Sequence, residues 1–449
     1  MTLPEHPGVS FAFIYSVEDP GTPPNPAPFF PTPTPTPVHH RTATCAQVMG
    51  PDDGYLVQWS PAVDTFWGAR HALELGATFT SQSYHDKPPV VGPVTPEAWR
   101  RTVREGFQAL PRRHLGRLRA TEAPGTGLPS TVDTCAWDIT VDPVYGWGTP
   151  GDTQKSTAGW LAALPVFEPH WQVVQAHGWA SGTVQWGDKE YTFDRAPLYA
   201  EKNWGGQFPQ KWFWVQCNSF RSRDSPAGAG DPPASAGTGN NDDDGDGDGF
   251  AAGSSRMTTT SVTAGGGRRE LLGGIATEDV AMIGVHHQGQ YYAIYPWEDD
   301  AVVTWKVSPW GSWDIRGMTP DMEIRVVGRC PPDAGTPLRA PTVDRGMVPF
   351  CKDTFRGDVE VTVVIEKGKK GTSGGNGSGS GSGSGTVVVD VVSYAESGAL
   401  EVGGGPWWET WEGRAEMREP LRSVVRAPLE EALAPWTKMA PSIAKPPGL

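Results

Sequence analysis

Short runs of β-branched and aromatic residues recur along the chain, and Gly, Pro, Asp or Asn bounds each of them. Runs of this kind are typical of β-strands. They predict strands over residues 11–17, 55–59, 171–180, 183–193, 281–297, 302–308, 359–366 and 386–395. Tight turns at Gly187-Asp188 and at Gln288-Gly289 predict two hairpins, which we expect to belong to separate sheets.

Helical signals are few. Residues 95–110 begin with Thr95 as a candidate N-cap, Pro96 at the first helical position and Glu97 in the first turn, and this pattern predicts one helix. Residues 420–436 are a weaker second candidate. Together with the abundance of Gly and Pro, 56 and 44 residues, the pattern predicts a mostly β protein carrying one or two helices.

Three low-complexity segments separate the predicted strands. Residues 31–37 alternate Pro and Thr, residues 221–256 contain the Asp/Gly-rich run NNDDDGDGDG, and residues 371–385 are nearly all Gly and Ser. The Pro/Thr segment should be extended and solvated, like a surface spacer. The other two segments bury too little apolar surface to offset their chain entropy, so we expect them to be disordered. The predicted division is a β lobe over 1–220, a linker over 221–256 and a second β lobe over 257–449.

Charge and cysteine content exclude several classes of function. The formal net charge is -14, and no Lys/Arg stripe suits a nucleic-acid phosphate backbone. Five scattered cysteines without a CxxC pair indicate neither a disulfide framework nor a zinc site, and predict reduced thiols in an intracellular compartment. No apolar run has the length of a membrane span.

Tryptophan is concentrated in one part of the chain. Residues 143–218 hold eight of the 20 tryptophans. An indole ring favours burial while its N–H still needs a partner, so this density indicates either an aromatic-lined cavity or a rigid β core. The pattern alone leaves both interpretations open.

Several blocks carry a resemblance to a known family. PVYGWG, QKSTAGWLAALPVFEPHWQV, EKNWGG, KWFWVQCN, TAGGGRR and GGGPWWETW closely resemble the tocopherol cyclase family of plants and algae. The resemblance implies two lipocalin-like (calycin-type) β-barrel lobes. It also implies an isomerase (intramolecular lyase) of vitamin E biosynthesis, which closes the chromanol ring of phytyl-benzoquinols and related prenylquinols such as plastoquinol.

The resemblance further implies a chloroplast location, with peripheral association at plastid lipid droplets (plastoglobules). Family members carry a transit peptide and an aromatic-rich block before the segment matching FAFIYSV, and these are not visible here. The missing strand would be the first of the first barrel. Either the sequence starts late, which we favour, or this form is impaired.

Ring closure of this kind is redox-neutral. A proton adds to the alkene nearest the ring, a tertiary carbocation develops, and the phenol oxygen captures it while losing its own proton. No metal or cofactor is required by that balance. The site needs an acid, a base, and protection of the cation from water.

Carboxylates embedded among aromatic residues are the candidate acids. Glu201 and Glu168 fit best, with Asp138, Asp194 and Asp314 behind them, and His170 is a candidate acceptor of the phenolic proton. The structural alternatives are an ion pair of Glu201 with Lys202, a turn carboxylate at Glu168 and a packed histidine at His170.

Indoles could exclude water and stabilise the cation, each by roughly 0.5–2 kcal/mol. The candidate rings are Trp147, Trp160, Trp171, Trp204, Trp212 and Trp214, and core packing is the alternative for each. Strand alternation predicts Trp212 and Trp214 on one face and Phe213 on the other. Lys202, Asn203 and Asn218 are candidate contacts for the quinol head group.

Three other functions fit the same features: a quinol or lipid carrier, an alkene hydratase that admits water, and a structural protein of lipid droplets. The reaction product separates them. A chromanol indicates a cyclase, a tertiary alcohol a hydratase, and unchanged bound quinol a carrier.

Overall fold

The structure is a computed structural model. It describes residues 1–19, 42–69, 72–79, 90–123, 127–150, 156–159, 169–205, 208–223, 260–271, 276–307, 310–342, 345–366 and 385–426. The strands of the first half are β1 (Ala12–Glu18), β2 (Ala43–Met49), β3 (Tyr55–Ser60), β4 (Trp67–Gly68), β5 (Leu75–Thr78), β6 (Gly106–Leu110), β7 (Arg113–Arg119), β8 (Thr134–Tyr145), β9 (His170–Trp186), β10 (Lys189–Trp204), β11 (Lys211–Cys217) and β12 (Phe220–Ser222).

The second half continues with further strands. These are β13 (Thr260–Leu271), β14 (Ala276–His287), β15 (Gln290–Ile294), β16 (Val302–Val307), β17 (Ser312–Met318), β18 (Met322–Arg329), β19 (Thr336–Ala340), β20 (Val348–Ile365), β21 (Thr386–Ser393), β22 (Gly398–Gly403) and β23 (Trp411–Ala415). Two α-helices, α1 (Pro96–Thr102) and α2 (Leu421–Val425), and a 3-10 turn (Pro51–Asp53) complete the described elements.

The first half of the chain forms two antiparallel sheets. Strands β4 to β10 make a seven-stranded sheet in sequence order, and β1, β2 and β3 make a three-stranded sheet. The Thr2 N–H donates to Pro197 O at 3.3 Å and the Thr121 N–H donates to Val57 O at 3.0 Å, which joins the two sheets. Their shared core includes the buried rings of Phe11, Phe107, Trp137 and Trp186.

The strands of the second half, together with β11 and β12, form a thirteen-stranded antiparallel sheet. Its main path is β15-β14-β13-β11-β22-β20-β18-β17-β16-β23, with β12, β19 and β21 beside it. Phe213, Ile283, Trp305, Trp313 and Leu400 share one core although their strands are far apart in this order. The sheet therefore curls around one face, and alternate residues point out of the opposite face.

The three-stranded sheet is also fastened to the thirteen-stranded sheet. The Gln47 side-chain amide donates to Arg339 O at 2.9 Å and accepts from the Arg339 N–H at 2.8 Å. The Asp53 carboxylate accepts from the Gly335 N–H at 2.7 Å and from the Thr354 hydroxyl at 2.9 Å. These polar contacts connect residues from the two halves of the chain.

The structure confirms the mostly β fold and both predicted hairpins. β9 and β10 turn at Gly187-Asp188 in the seven-stranded sheet, and β14 and β15 turn at Gln288-Gly289 in the thirteen-stranded sheet. Positive φ values of 57°, 50° and 81° at Gly187, Gln288 and Gly289 are those that such turns require. Closed barrels of the lipocalin type stay a prediction.

Helix α1 is shorter than the sequence predicts. Thr95 caps it as expected by accepting from the Ala98 N–H at 3.3 Å, but the helix ends at Thr102 and residues 106–110 form β6. Gly106 has a φ of 152°, and a Cβ there would lie 2.3 Å from Ala77 O. The close approach of β5 explains why the chain turns from helix to strand at this glycine.

The predicted domain division at residue 220 stays a prediction. The sheets divide earlier, because β11 pairs with β13 and β22, and β12 pairs with β21. The segments 31–37 and 371–384 and most of 221–256 lie outside the described residues. All five cysteines are free thiols, and neither described helix has the length and hydrophobicity of a membrane-spanning segment.

Candidate active site

A cavity lies where β9 and β10 face the outer side of the thirteen-stranded sheet. It encloses about 1030 Å³ of atom-free space, part of which is open to solvent. We call this cavity the indole pocket. Its lining residues include Trp171, Glu201, Asn203, Phe208, Trp212, Trp214, Gly265, Gly267, Arg269, Met282, Trp297, Glu401 and Met417.

Strand alternation sends two sets of side chains into the indole pocket. On β11, Trp212 and Trp214 line it, and Phe213 also borders it, but the Phe213 ring packs in the core against Trp305 and Trp411. Trp214 is directly opposite Glu401 on β22, and Glu401 is directly opposite Asp353 on β20. Opposite residues of antiparallel strands share a face, so these residues project from one side of the sheet.

Glu201 enters the indole pocket from β10 and is held by three donors. The Trp171 indole N–H and the Tyr199 hydroxyl each donate to Glu201 Oε2 at 2.6 Å, and the Asn203 amide donates to Oε1 at 3.1 Å. Tyr199, Glu201 and Asn203 alternate along β10 and therefore share a face. The Glu201 carboxyl is thereby fixed at the wall of an aromatic cavity.

Burial and hydrogen bonding act on Glu201 in opposite directions. Desolvation raises the pKa of the Glu201 carboxyl, while the donors Tyr199, Trp171 and Asn203 lower it, and the pKa remains above its ordinary value. Donors that bond to a carboxylate favour its charged form. The Glu201 carboxyl therefore titrates at a higher pH than the carboxyl of a surface glutamate does.

A second acidic group faces the same indoles from the thirteen-stranded sheet. The Trp212 indole N–H donates to Glu401. A carboxylate oxygen of Asp353, a carboxylate oxygen of Glu401 and the Cys351 Sγ atom lie within 4.8 Å of one another. Burial raises the pKa of Glu401 to about 7, and the Glu201 charge adds to the rise. Burial, and then the Glu401 charge, raise the pKa of Asp353 as well.

Glycine makes room for the indoles. On β13, a Cβ at Gly265 would lie 3.0 Å from the Trp171 ring, and a Cβ at Gly267 would lie 3.1 Å from Pro209. Side chains at these positions would fill the floor of the cavity. Gly266, between them, instead makes room for Phe213 and Ala281 in the core, so the glycine run of TAGGGRR serves both faces of β13.

The structure brings together five of the predicted site residues: Glu201, Trp171, Asn203, Trp212 and Trp214 all line the indole pocket. Trp147 packs behind them, with its ring 5.9 Å from the Trp171 ring and against Gly284. It supports the wall rather than lining the cavity. The dense tryptophan run therefore combines cavity lining with core packing.

Three predicted residues lie on the opposite face of β9 and β10. Lys202 does not pair with Glu201, because its ammonium donates to the carbonyls of Ala69 and Ala72 at 3.2 and 3.1 Å. His170 is directly opposite Trp204, with 5.4 Å between their rings. The structure therefore does not bring His170, Lys202 or Trp204 to the Glu201 carboxyl.

The remaining candidates lie elsewhere. The Asn218 amide is buried and donates to Leu198 O at 3.0 Å, and Asn218 is not among the residues that line the indole pocket. Glu168 and Trp160 lie outside the described residues. The secondary acid candidates are engaged by other side chains: Asp138 by Arg100 and Arg113, Asp194 by Ser181, and Asp314 by Arg325.

Sequence reasoning missed Tyr199, Asp353 and Glu401. Tyr199 precedes Glu201 by two positions, so strand alternation alone could have placed it beside the carboxyl. Glu401 is the lone charge in the apolar segment ALEVGG, which is a recognisable signal of a buried carboxyl. The pairing of Asp353 with Glu401 depends on contacts between separate strands and has no local signal.

Comparison with known proteins agrees with the sequence blocks. The profile of the family described as "Tocopherol cyclase-like" matches residues 1–230 and 251–404. "Tocopherol cyclase, chloroplastic" of Zea mays is 37% identical over 409 residues, covering 91% of this chain and 74% of the maize protein. "Probable tocopherol cyclase, chloroplastic" of Oryza sativa subsp. japonica is 37% identical over 411 residues, with the same coverage of 91% and 74%.

A crystal structure of an AttH protein from Nitrosomonas europaea has a TM-score of 0.31 and 12% identity, covering 90% of this chain and 89% of that one. That similarity is too low to carry an argument. The profile match includes β9, β10, β11 and β13, and each plant relative covers 91% of the chain. This chain belongs to the tocopherol cyclase family.

Proposed function

We propose that this protein is a plastid tocopherol cyclase, an isomerase of the intramolecular lyase class. It converts phytyl-benzoquinols, and related prenylquinols such as plastoquinol, to chromanols in vitamin E biosynthesis. The observation that carries this proposal is the Glu201 carboxyl, fixed by Trp171, Tyr199 and Asn203 at the wall of the indole pocket. The family membership supports the substrate class.

The pocket offers what this chemistry needs. Burial raises the pKa values of two separate carboxyls, that of Glu201 above its ordinary value and that of Glu401 to about 7, so both groups are suited to proton transfer. Trp171, Trp212 and Trp214 line the space around them and can stabilise a tertiary cation through their ring faces. Apolar walls keep water from the cation, which favours capture by the phenol oxygen over formation of an alcohol.

The location follows the family. The two plant relatives are named as chloroplastic, and we propose a plastid location here. A substrate with a long prenyl tail resides in lipid, so we further propose peripheral association with plastid membranes or lipid droplets (plastoglobules). Co-fractionation of the tagged protein with plastid lipid droplets tests this part, and its exclusive recovery with the soluble fraction would contradict it.

The first prediction concerns Glu201. Incubation of the purified protein with a phytyl-benzoquinol under reducing conditions is expected to yield chromanol, measured by chromatography and mass spectrometry. Glu201→Gln keeps the side-chain shape but cannot exchange a proton, so turnover should fall by at least about 10²-fold. Quinol binding and the far-UV spectrum should remain.

Glu412→Gln is the matched control, because Glu412 is exposed and pairs with Lys306 at 2.7 Å, away from the indole pocket. A wild-type rate in Glu201→Gln would remove this carboxyl from the mechanism. Unchanged quinol bound by the wild-type protein would indicate a carrier, and a tertiary alcohol product would indicate a hydratase.

A further inference from the structure

Two carboxyls that differ in their surroundings line one pocket. Glu201 stands on the seven-stranded sheet with three hydrogen-bond donors, whereas Glu401 stands on the thirteen-stranded sheet beside a second carboxyl, Asp353. The sequence favours Glu201 as the proton donor. Its surroundings favour the other role, because three donors leave its oxygens as acceptors of hydrogen bonds.

Asp353 and Glu401 form the group better suited to hold a proton. Asp353 is 8% exposed, and its Oδ1 atom has no hydrogen-bond partner among the described residues. Two buried carboxyls this close repel each other when both are charged, so they retain a proton between them. In aspartic proteases the same repulsion keeps one proton on a carboxyl pair.

The other groups facing Glu401 do not neutralise the pair. They are the Glu201 carboxyl across the pocket, the Cys351 thiol beside Asp353, and the Trp212 N–H. Arg269 also lines the indole pocket, but its guanidinium is paired with Glu278 at the neighbouring position of β14. Among the described residues, the ionisable groups that act on the pKa of Glu401 are the Glu201 and Asp353 carboxyls.

Trp214 lies beside both acidic groups. It is directly opposite Glu401 on the neighbouring strand, and its ring is 5.6 Å from the ring of Tyr199, whose hydroxyl bonds to Glu201. A cation that forms between the two carboxyls therefore forms next to an indole. This is the arrangement in which one group can protonate an alkene while another accepts a proton from a phenol.

We infer that Glu401, which shares a proton with Asp353, is the proton donor to the alkene, and that Glu201 is the acceptor of the phenolic proton. Asp353 is a positioning residue that keeps the proton on the pair. This inference rests on the proposed function, and it assigns to the two sides of the pocket the two proton transfers that the reaction contains.

The steps balance without any co-reactant. The Glu401 O–H bond breaks and its proton forms a C–H bond with the alkene π electrons, which leaves a tertiary cation. The phenol oxygen then forms the C–O bond to that cation, and its O–H proton passes to Glu201. Return of one proton from Glu201 to the Glu401–Asp353 pair, through solvent at the pocket mouth, restores the enzyme.

The test separates the two proton transfers in D₂O. Alkene protonation is measured as deuterium incorporated into recovered quinol and its alkene isomers, and ring closure is measured as chromanol. Glu201→Gln should lose chromanol by about 10²-fold or more while exchange of deuterium persists. Glu401→Gln should lose both signals, and Glu412→Gln should lose neither.

The reverse pattern, with exchange lost in Glu201→Gln and kept in Glu401→Gln, would overturn the assignment of roles. So would a wild-type rate of ring closure in Glu401→Gln with retained fold. Absence of both chromanol and exchange in the wild-type protein would instead contradict the proposed function itself. Retained quinol binding, followed by tryptophan fluorescence, shows that each variant is folded.

Asp353 has its own test. In Asp353→Asn the pair can no longer share a proton. The alkaline limb of the pH–rate profile of deuterium exchange should therefore move to lower pH by about one unit. An unmoved limb would overturn the positioning role. A divalent ion that copurifies stoichiometrically with the wild-type protein and is lost in Asp353→Asn would also overturn the assignment, because these carboxyls would then be metal ligands.

Discussion

At the scale of single residues, the surroundings of each carboxyl matter more than its presence. Asp138 and Asp314 resemble Glu201 in sequence, since all three stand among aromatic residues, yet arginines pair with both aspartates near the surface. Glu201 instead accepts hydrogen bonds from three neutral donors, and the described part of the chain shows no ion pair with it. Sequence could identify the candidates, but only the tertiary contacts separate an ion pair from a buried acid.

Tyr199 offers a prediction at this scale. Tyr199→Phe keeps the ring but removes one of the two donors to Glu201 Oε2. Loss of a bond that favours the charged form raises the pKa of Glu201, so the limb of the pH–rate profile that Glu201 controls should move to higher pH. A hydrogen bond to a charged group is worth about 1.5–3 kcal/mol, or roughly one to two pH units.

Tyr191→Phe is the control, because Tyr191 lies on the same strand and packs against His6 and Phe11 away from the pocket. The measurement is the pH dependence of chromanol formation for the three proteins. A profile of Tyr199→Phe that coincides with the wild-type profile would show that this hydroxyl does not act on the reacting carboxyl.

At the scale of elements, the turns were predictable and the strand partners were not. The hairpin turns at Gly187 and Gly289 need positive φ, which the glycines signal locally. β13 is different, since TAGGGRR contains few strand-forming residues and is held between β11 and β14. This segment is a strand because it pairs with β11 and β14. Gly265 within it leaves room for the Trp171 indole.

Gly265 tests the role of β13. The added methyl of Gly265→Ala would lie 3.0 Å from the Trp171 ring, so the indole must shift and the hydrogen bond from Trp171 to Glu201 weakens. We expect a loss of kcat/KM of about 10-fold, equivalent to about 1.4 kcal/mol, with little change in the unfolding midpoint. Steady-state kinetics and urea unfolding measure the two quantities.

Gly68→Ala on β4 is the matched control, because the nearest atom to its added methyl is 3.8 Å away. It should keep the wild-type kinetics. Full activity in Gly265→Ala would mean that the Trp171 indole can move without disturbing Glu201.

At the scale of the whole molecule, the sequence does not indicate which distant strands pair. Alternating strands on both sides of residues 221–256 predict two β regions, and this division stays a prediction. Strands β11 and β12 precede this segment yet pair with strands that follow it. Long-range pairing of this kind has no signature in local hydrophobic periodicity.

Buried histidines make a prediction for global stability. Desolvation lowers the pKa of His114, His170, His177 and His286 from 6.5 to about 4. A lowered histidine pKa contributes stability that is present above pH 6.5 and is lost as the pH falls toward 4. The raised pKa of Glu401 acts in the opposite sense, with stability lost as the pH rises from 4.5 through about 7.

His114→Gln isolates one of these contributions. Between pH 7 and pH 5 the free energy of unfolding of this variant should decline less than that of the wild-type protein, by up to about 2 kcal/mol. Urea unfolding at the two pH values measures the difference. The control is His6→Gln near the surface, and equal declines in all three proteins would contradict the prediction.

The hydrogen bonds of Gln47 and Asp53 have a consequence for catalysis. These residues do not line the indole pocket, but they tie the three-stranded sheet to the thirteen-stranded sheet. The two proposed proton-transfer groups stand on different sheets, and a displacement of about 1 Å between reacting groups can slow catalysis strongly. The rate of ring closure should therefore depend on how the two sheets are aligned. Gln47 and Asp53, which hold that alignment without lining the pocket, should affect the rate as well.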